Sequence, residues 1–363
     1  MKRISIIFIG IILSATAFSQ AGSFYVSGRI IDKDTKAPMQ AASVFAQNTT
    51  IGTATDAQGN FVLLLPNGGY DLAVTYTDYT TEVKRISSAD TGNRNIVIEI
   101  RKKDKEMEAV AIVSSNEVKD GWQRYGLFFT DNFIGKTIFS GACQLLNPEV
   151  LKFYFSKKRN RLKVRASAPL EIINEALGYK IKYTLDSLTY DYATQSSLYT
   201  GYPLFEELKP RSDTQLQQWK TNRLQAYNGS VLHFMRSVYT KTLKDESFEI
   251  QFIVNNEGID TAIKIKNFYA ALNYQKDDSD QTVTIKPNQP NMAVIYGNEQ
   301  PEKNYLAETE DAPTKYELSI VTITEPITIE QNGYYYDQND ITTTGYWTWE
   351  KVGDMVPYDF SPN

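Results

Sequence analysis

Apolar and polar residues alternate with a period of two over residues 24–101, and Gly, Asp, Asn and Pro punctuate the alternation at close spacing. That pattern predicts short antiparallel strands. They fall near 24–31, 42–47, 51–55, 60–65, 70–76, 80–86 and 94–100, which suits a small seven-stranded β-sandwich. Asp56-Ala57-Gln58-Gly59-Asn60 reads as a hairpin turn in which Gly59 supplies a positive φ, and Asn67-Gly68-Gly69 reads as a second. Asp32 to Asp34 and Asp56 to Asn60 place several oxygen ligands in loops. Their spacing misses the calcium-loop pattern of alternating Asp/Asn followed by a distant Glu, so turn chemistry accounts for them.

The charged run Arg101-Lys102-Lys103-Asp104-Lys105-Glu106 ends this pattern, and residues 102–120 read as a solvated linker with one further candidate strand at Val110–Val113. A helical period follows. Trp122, Tyr125, Phe129 and Phe133 recur at i, i+3, i+7 and i+11, one aromatic face of a short helix packed on a core. From Leu151 the period returns to two: Leu162, Val164 and Ala166 alternate with charged residues, as do Tyr179, Ile181, Tyr183 and Leu185, with a turn at Lys157-Lys158-Arg159-Asn160. Ser212 or Asp213 caps the longest helical signal, in which Leu216, Trp219, Arg223, Tyr227, Val231, Phe234 and Val238 share one face. Gly229-Ser230 interrupts it, so either a backbone packs closely there or the helix breaks in two. Residues 255–315 are polar and predict few strands, with Asp277-Asp278-Ser279-Asp280 in a loop. Residues 316–349 return to Thr-, Ile- and Tyr-rich strands. The expected fold class is mainly β / α+β: a seven-stranded sandwich over 24–101, then an antiparallel-sheet α+β domain over 121–363 with one long helical segment.

Composition adds compartment more than chemistry. With 363 residues the chain is long enough for two cored domains, and a net charge of −5 implies neither a nucleic-acid footprint nor a basic membrane patch. Twenty-four Tyr and frequent Thr agree with β structure. Lys2 and Arg3 precede the apolar run Ile4 to Leu13 and a small-residue end at Ala17-Phe18-Ser19, which predicts a secretory signal peptide over 1–19. No Cys lies near that cleavage point, so a lipoprotein anchor is not expected, and no later segment has the length and apolarity of a transmembrane helix. The mature chain is expected in the periplasm or associated with the outer membrane through a partner. The single cysteine, Cys143, cannot form an internal disulfide, and its apolar setting predicts a buried, inert thiol.

Gly28-Arg29-Ile30-Ile31-Asp32, Pro38, Ala42-Ser43-Val44-Phe45, the run Gly52 to Phe61, Pro66, Gly69-Tyr70 and Asp78-Tyr79 together resemble the carboxypeptidase-regulatory-like domain. The resemblance implies a transthyretin-like fold and an envelope setting of the Bacteroidota type. A longer set resembles full-length exported proteins that carry such a domain: Phe133-Ile134-Gly135, Asn147-Pro148, Leu177-Gly178-Tyr179, Ala226 to Ser230, His233 to Ser237, Gly345-Tyr346-Trp347 and Asp354 to Pro357. It implies architecture and compartment and brings no activity with it.

One histidine decides several questions. Zinc peptidases need two His with a carboxylate, so carboxypeptidase activity of the His-rich zinc type is excluded. Ser230 lies three residues before His233, but no Gly-x-Ser-x-Gly elbow is present, and a structural, hydrogen-bonded His233 is the preferred role. No phosphate loop or dinucleotide fingerprint occurs, and no cofactor is expected. Paired carboxylates for glycoside hydrolysis remain open, with Glu171, Glu175, Glu206 and Glu207 as acids of the second domain. Trp347 and Trp349 sit two apart on an expected strand. Exposed, they offer a stacking platform for a sugar or peptide, and buried, they are core, the preferred reading. The expected function is non-catalytic binding or scaffolding in the cell envelope, with an envelope or outer-membrane protein as partner and no nucleic acid. The alternatives are a glycan-directed hydrolase and a glycan- or peptide-binding module, with Trp347, Trp349 and His233 as candidate contacts.

Overall fold

The computed structural model describes residues 22–103, 116–336 and 338–362. The expected signal peptide and the candidate strand Val110–Val113 lie outside them. Seven strands form the N-terminal unit: β1 (Ser23–Asp32), β2 (Ser43–Ala46), β3 (Gly52–Ala54), β4 (Asn60–Pro66), β5 (Gly69–Thr75), β6 (Glu82–Ser87) and β7 (Ile96–Ile100). They make two sheets, ordered β4-β1-β7 and β3-β2-β5-β6, that close on Val26, Ile30, Leu63, Leu65, Val44 and Leu72. β1 and β7 run parallel, and the other pairs are antiparallel.

All seven expected strands are present, but neither expected hairpin is one. The turn at residues 56–60 leads from β3 in one sheet to β4 in the other, and the turn at 67–69 leads from β4 back to β5. Gly59 does take a positive φ of 78°. Asp56 Oδ1 accepts from the amides of Gln58 (2.9 Å) and Asn60 (2.8 Å), which tightens the corner. Asp32 Oδ1 does the same for Asp34 and Thr35. Turn chemistry reverses the chain without choosing the strand it pairs with next.

From residue 116 onward the chain encloses two further cores. The first belongs to helix α1 (Gly121–Phe133) and strands β8 (Cys143–Leu145), β9 (Leu151–Ser156), β10 (Arg161–Ala166), β11 (Leu170–Asn174), β12 (Tyr179–Asp191) and β13 (Ser196–Glu207). These strands order as β8-β11-β12-β10-β9, with β13 along the other side of β12. Phe129 and Phe133 of the aromatic stripe are fully buried against Phe153 and Tyr183, while Leu162, Val164, Ile181 and Leu185 point inward as their period predicts.

Helices α2 (Asp213–Tyr227) and α3 (Val231–Thr240) replace the single long helix. Ser212 caps α2 by accepting from Gln215 N, and Ser230 caps α3 by accepting from His233 N. Between them Gly229 takes a φ of 72°, which breaks the helix. Ala226 and Tyr227 face the first core, whereas Phe234, Met235 and Val238 face the second. One apolar stripe thus serves two cores, and the break re-aims it.

The second core is built from β14 (Phe248–Asn256), β15 (Ile259–Lys264), α4 (Phe268–Ala271), β16 (Gln275–Asp277), β17 (Thr282–Ile285), β18 (Asn291–Tyr296), α5 (Lys303–Glu308), β19 (Glu317–Ile323), β20 (Ile327–Glu330), β21 (Ile341–Gly345) and α6 (Tyr346–Trp349). A five-stranded sheet, β15-β14-β18-β19-β21, packs on a three-stranded one, β16-β17-β20. Four of these strands lie wholly within 255–315, more than polarity suggested. Val283 with Ile285 and Met292 with Val294 alternate over only one repeat each, too short a run to mark a strand among polar residues, and long-range pairing selects their conformation.

The C-terminal residues stitch the units together. Gly353 N donates to Ile134 O (2.8 Å), Tyr358 N to Asn48 O (2.6 Å), and Thr50 N to Asp359 (3.0 Å). Asn332 holds Gly69 through both its amide nitrogen (2.9 Å) and its oxygen (3.3 Å).

Candidate functional site

Where α2 ends, a cleft of about 300 Å³ opens between the two C-terminal cores. Thr137 and Phe139 wall it from one side, and Asn298 to Glu302, ahead of α5, from the other. Glu317 at the start of β19, Tyr346 of α6, Glu350 and Asp354 line its floor. Five carboxyl groups therefore converge from segments remote in sequence. Among the described residues none of the five has an ion-pair partner: Lys136 pairs with Glu308, and Lys351 donates to Thr348 O.

Burial sets their protonation. Glu317, only 6% exposed, is pushed up to about 8 by burial and by the neighbouring charge of Glu299. Burial raises Glu299 to about 7 and Asp354 to about 7, and lifts Glu350 well above the carboxylate range. Asp354 is held by Thr137 Oγ1 (2.6 Å) and Lys351 N (3.0 Å). Glu302 accepts from Ile138 N (3.1 Å), and Asn228 reaches Glu299 at 3.4 Å. The arrangement keeps several carboxylic acids neutral near pH 7, able to donate a proton.

These shifts predict how stability varies with pH. The acids bind protons more tightly folded than unfolded, so their contribution is complete below their unfolded values of about 4.3. It is lost as pH rises through about 7 to 8, where Glu299, Asp354 and Glu317 ionise. Urea unfolding at pH 5, 6.5 and 8 should show stability falling across that series, with Glu317→Gln flattening it. A rise with pH would contradict the assignment.

Of the sequence-derived candidates only Trp349 touches this cleft, at its edge, and the others lie elsewhere. His233 is buried, and Gly229 N donates to its Nδ1 (3.1 Å), which leaves Nε2 to face Glu246 at 3.3 Å. Its ring stacks among Tyr227, Phe248 and Tyr296, and burial lowers its pKa. Ser230 Oγ donates to Tyr227 O (2.6 Å) and contacts neither ring nitrogen, so the pair forms no nucleophile–base couple. Trp347 and Trp349 are on the helical turn α6 and not on a strand, because Gly345, with a φ of 81°, ends β21. Trp347 is 8% exposed and donates from Nε1 to Gly229 O (2.7 Å). Trp349 is half-buried beside Tyr305, with its Nε1 3.4 Å from Glu302 at the edge of the cleft. Glu171, Glu175, Glu206 and Glu207 instead pair with Lys180, Arg211, Lys182 and Arg223 on outward faces. Cys143 is half-buried, and burial pushes its thiol up to about 12, too high for a nucleophile. The five cleft acids carry no local motif. Only Asp354 fell within a stretch singled out from sequence.

A second surface draws attention on the N-terminal sandwich. On the outward face of β4-β1-β7, Tyr25 (54% exposed), Leu64 (47%) and Val62 (59%) stand together, Tyr25 directly opposite Leu64 across the strands, while the exposed Val97 lies apart, opposite Arg29. Polar residues would be expected on a solvated sheet face.

No curated protein sequence matches the chain. Among solved structures, a 9R-lipoxygenase from Cyanothece PCC8801 aligns at 11% identity and a TM-score of 0.17, over 59% of this chain and about half (48%) of its own length, too distant a likeness to carry an argument. No helix among the described residues is long and apolar enough to cross a membrane. Residues 26–112 match the family model of the CarboxypepD_reg-like domain, and the N-terminal seven-stranded sandwich is accordingly a carboxypeptidase-regulatory-like domain.

Proposed function

We propose that the protein is a non-catalytic binding or scaffolding component of the cell envelope, engaging a protein partner through its regulatory-like sandwich. The open apolar cluster of Tyr25, Val62 and Leu64 carries this reading, since contiguous exposed apolar side chains mark interaction surfaces. The export signal expected at residues 1–19 supplies the compartment. A photo-crosslinker placed at Tyr25 in intact cells should capture an envelope protein reproducibly. Val62→Asp with Leu64→Asp should reduce its recovery by about tenfold or more, because an unpaired charge is costly in an apolar contact. Recovery of the free chain alone, with the crosslinker at Tyr25, would sink the proposal.

A glycan-directed hydrolase is the second reading, favoured by the acid-lined cleft. Such chemistry needs one carboxyl protonated as the acid and a second as nucleophile or base. The buried Glu317 and the half-buried Glu299 and Glu350 supply candidates for the first role, and Glu302 for the second. Release of new reducing ends from envelope glycans, abolished in Glu317→Gln or Glu302→Gln, would establish it. Turnover unchanged in those variants would remove it. A glycan- or peptide-binding platform on Trp347 has less to rest on, because that indole is buried and only Trp349 reaches the surface.

A further inference from the structure

Residues 151–165, Leu-Lys-Phe-Tyr-Phe-Ser-Lys-Lys-Arg-Asn-Arg-Leu-Lys-Val-Arg, hold seven cations and no acid in a chain whose net charge is −5. The structure folds this stretch into the β9–β10 hairpin at the edge of the six-stranded sheet. Alternation sends Phe153, Leu162 and Val164 inward, so Lys152, Arg161, Lys163 and Arg165 share the outward face. Arg165 lies directly opposite Lys152, a like-charge pair that disfavours the sheet. Lys163 sits beside Arg165, and burial with that charge lowers its pKa. The turn adds Lys157, Lys158 and Arg159, all exposed.

Two carboxylates answer these seven cations. Glu117 lies 3.8 Å from Lys152, and Asp191 takes Arg161 at 2.6 Å. Among the described residues Lys157, Lys158, Arg159, Lys163 and Arg165 have no carboxylate partner within 4.0 Å. Self-repulsion of this kind costs stability in the isolated chain and is relieved when the face meets fixed negative charge.

We propose that the β9–β10 hairpin and the outward face of its strands dock on an anionic membrane surface, with lysine and arginine set against lipid headgroup phosphates. Charge complementarity selects the chemistry. The shape selects a membrane over a polymer: the cations spread across an open sheet face and a projecting turn, not along a groove. Tyr154 is the single aromatic among the outward positions of β9 and β10, whereas single-stranded nucleic acid is held by several stacked aromatic rings. The surface is distinct from the apolar face of the sandwich, and it stands whether or not a protein partner binds there. It also revises the expectation from net charge, since a net charge of −5 conceals a local surplus of cations.

The test is cosedimentation of the full chain with vesicles of phosphatidylcholine mixed with phosphatidylglycerol, and with vesicles of phosphatidylcholine alone. Binding is expected to the mixed vesicles only, and to disappear at about 1 M salt, where the Debye length is about 3 Å. The triple variant Lys157→Gln, Lys158→Gln, Arg159→Gln alters exposed turn residues and should weaken binding about 100-fold, each cation near an anionic surface contributing about a factor of five. The pair Lys163→Gln, Arg165→Gln tests the sheet face independently, and should weaken binding while raising the unfolding midpoint as repulsion is relieved. A control triple at the exposed Lys220, Lys244 and Lys303 should bind as the parent does. Equal binding to phosphatidylcholine alone would overturn the proposal. So would retention on immobilised heparin without vesicle binding, or a turn variant that binds like the parent.

Discussion

Trp347→Ala is expected to lower the unfolding free energy by about 3–5 kcal/mol, the range for removing a large aromatic side chain from a core. Its indole packs against Phe234, with ring centroids 5.4 Å apart, within the second core. Its Nε1 is also bonded to Gly229 O at the break between α2 and α3 (2.7 Å). Truncation therefore opens a cavity and leaves a buried carbonyl without its donor, two separate costs. Chemical denaturation measures the loss directly. Trp349→Ala provides the contrast, since that ring is half-buried and should cost less. A Trp347→Ala protein as stable as the parent, with a lost ligand instead, would restore the stacking-platform reading.

Arg236→Ala should cost about 3 kcal/mol and loosen the C-terminal segment, as hydrogen bonds from a charged donor contribute about 1.5–3 kcal/mol each but are not additive. From α3 its guanidinium donates to Asn332 O (3.0 Å), Tyr358 O (2.8 Å) and Phe360 O (3.0 Å), and it lies 5.4 Å from the ring of Tyr227. Those carbonyls belong to the residues that tie the sandwich to the two other cores. Hydrogen exchange at residues 355–362 should accelerate in the variant beyond the change in global stability. Arg236→Lys should restore little, because an ammonium cannot span three carbonyls in one plane. Unchanged exchange there would show that Tyr358 and Asp359 hold the segment without help from Arg236.

The helix break at Gly229 shows how local and distant information combine. A glycine in mid-stripe announced either a close contact or a break, and both occur: a Cβ there would lie 2.6 Å from Glu317 Oε2, and the φ of 72° ends α2. The local signal located the irregularity. It could not reveal that the two halves face different cores, because that depends on sheets formed from residues 151–207 and 248–345. The tryptophans show the reverse. Alternation placed them on a strand, but Gly345 turned the chain into α6 and sent one indole inward.

By itself the sequence determined what local chemistry controls: the seven strands of the sandwich, the turns at Asp32 and Asp56, the inward faces of β10 and β12, the cap at Ser212 and the interruption at Gly229-Ser230. Period, turn residues and capping act over a few positions, so they are readable in order along the chain. Only the tertiary structure decided which sheet each turn feeds, that two cores follow the sandwich, and that Glu299, Glu302, Glu317, Glu350 and Asp354 share one cleft. Their protonation depends on removal from water and on one another's charge. Both are properties of position in space, and folding creates them by bringing together residues up to about fifty-five positions apart.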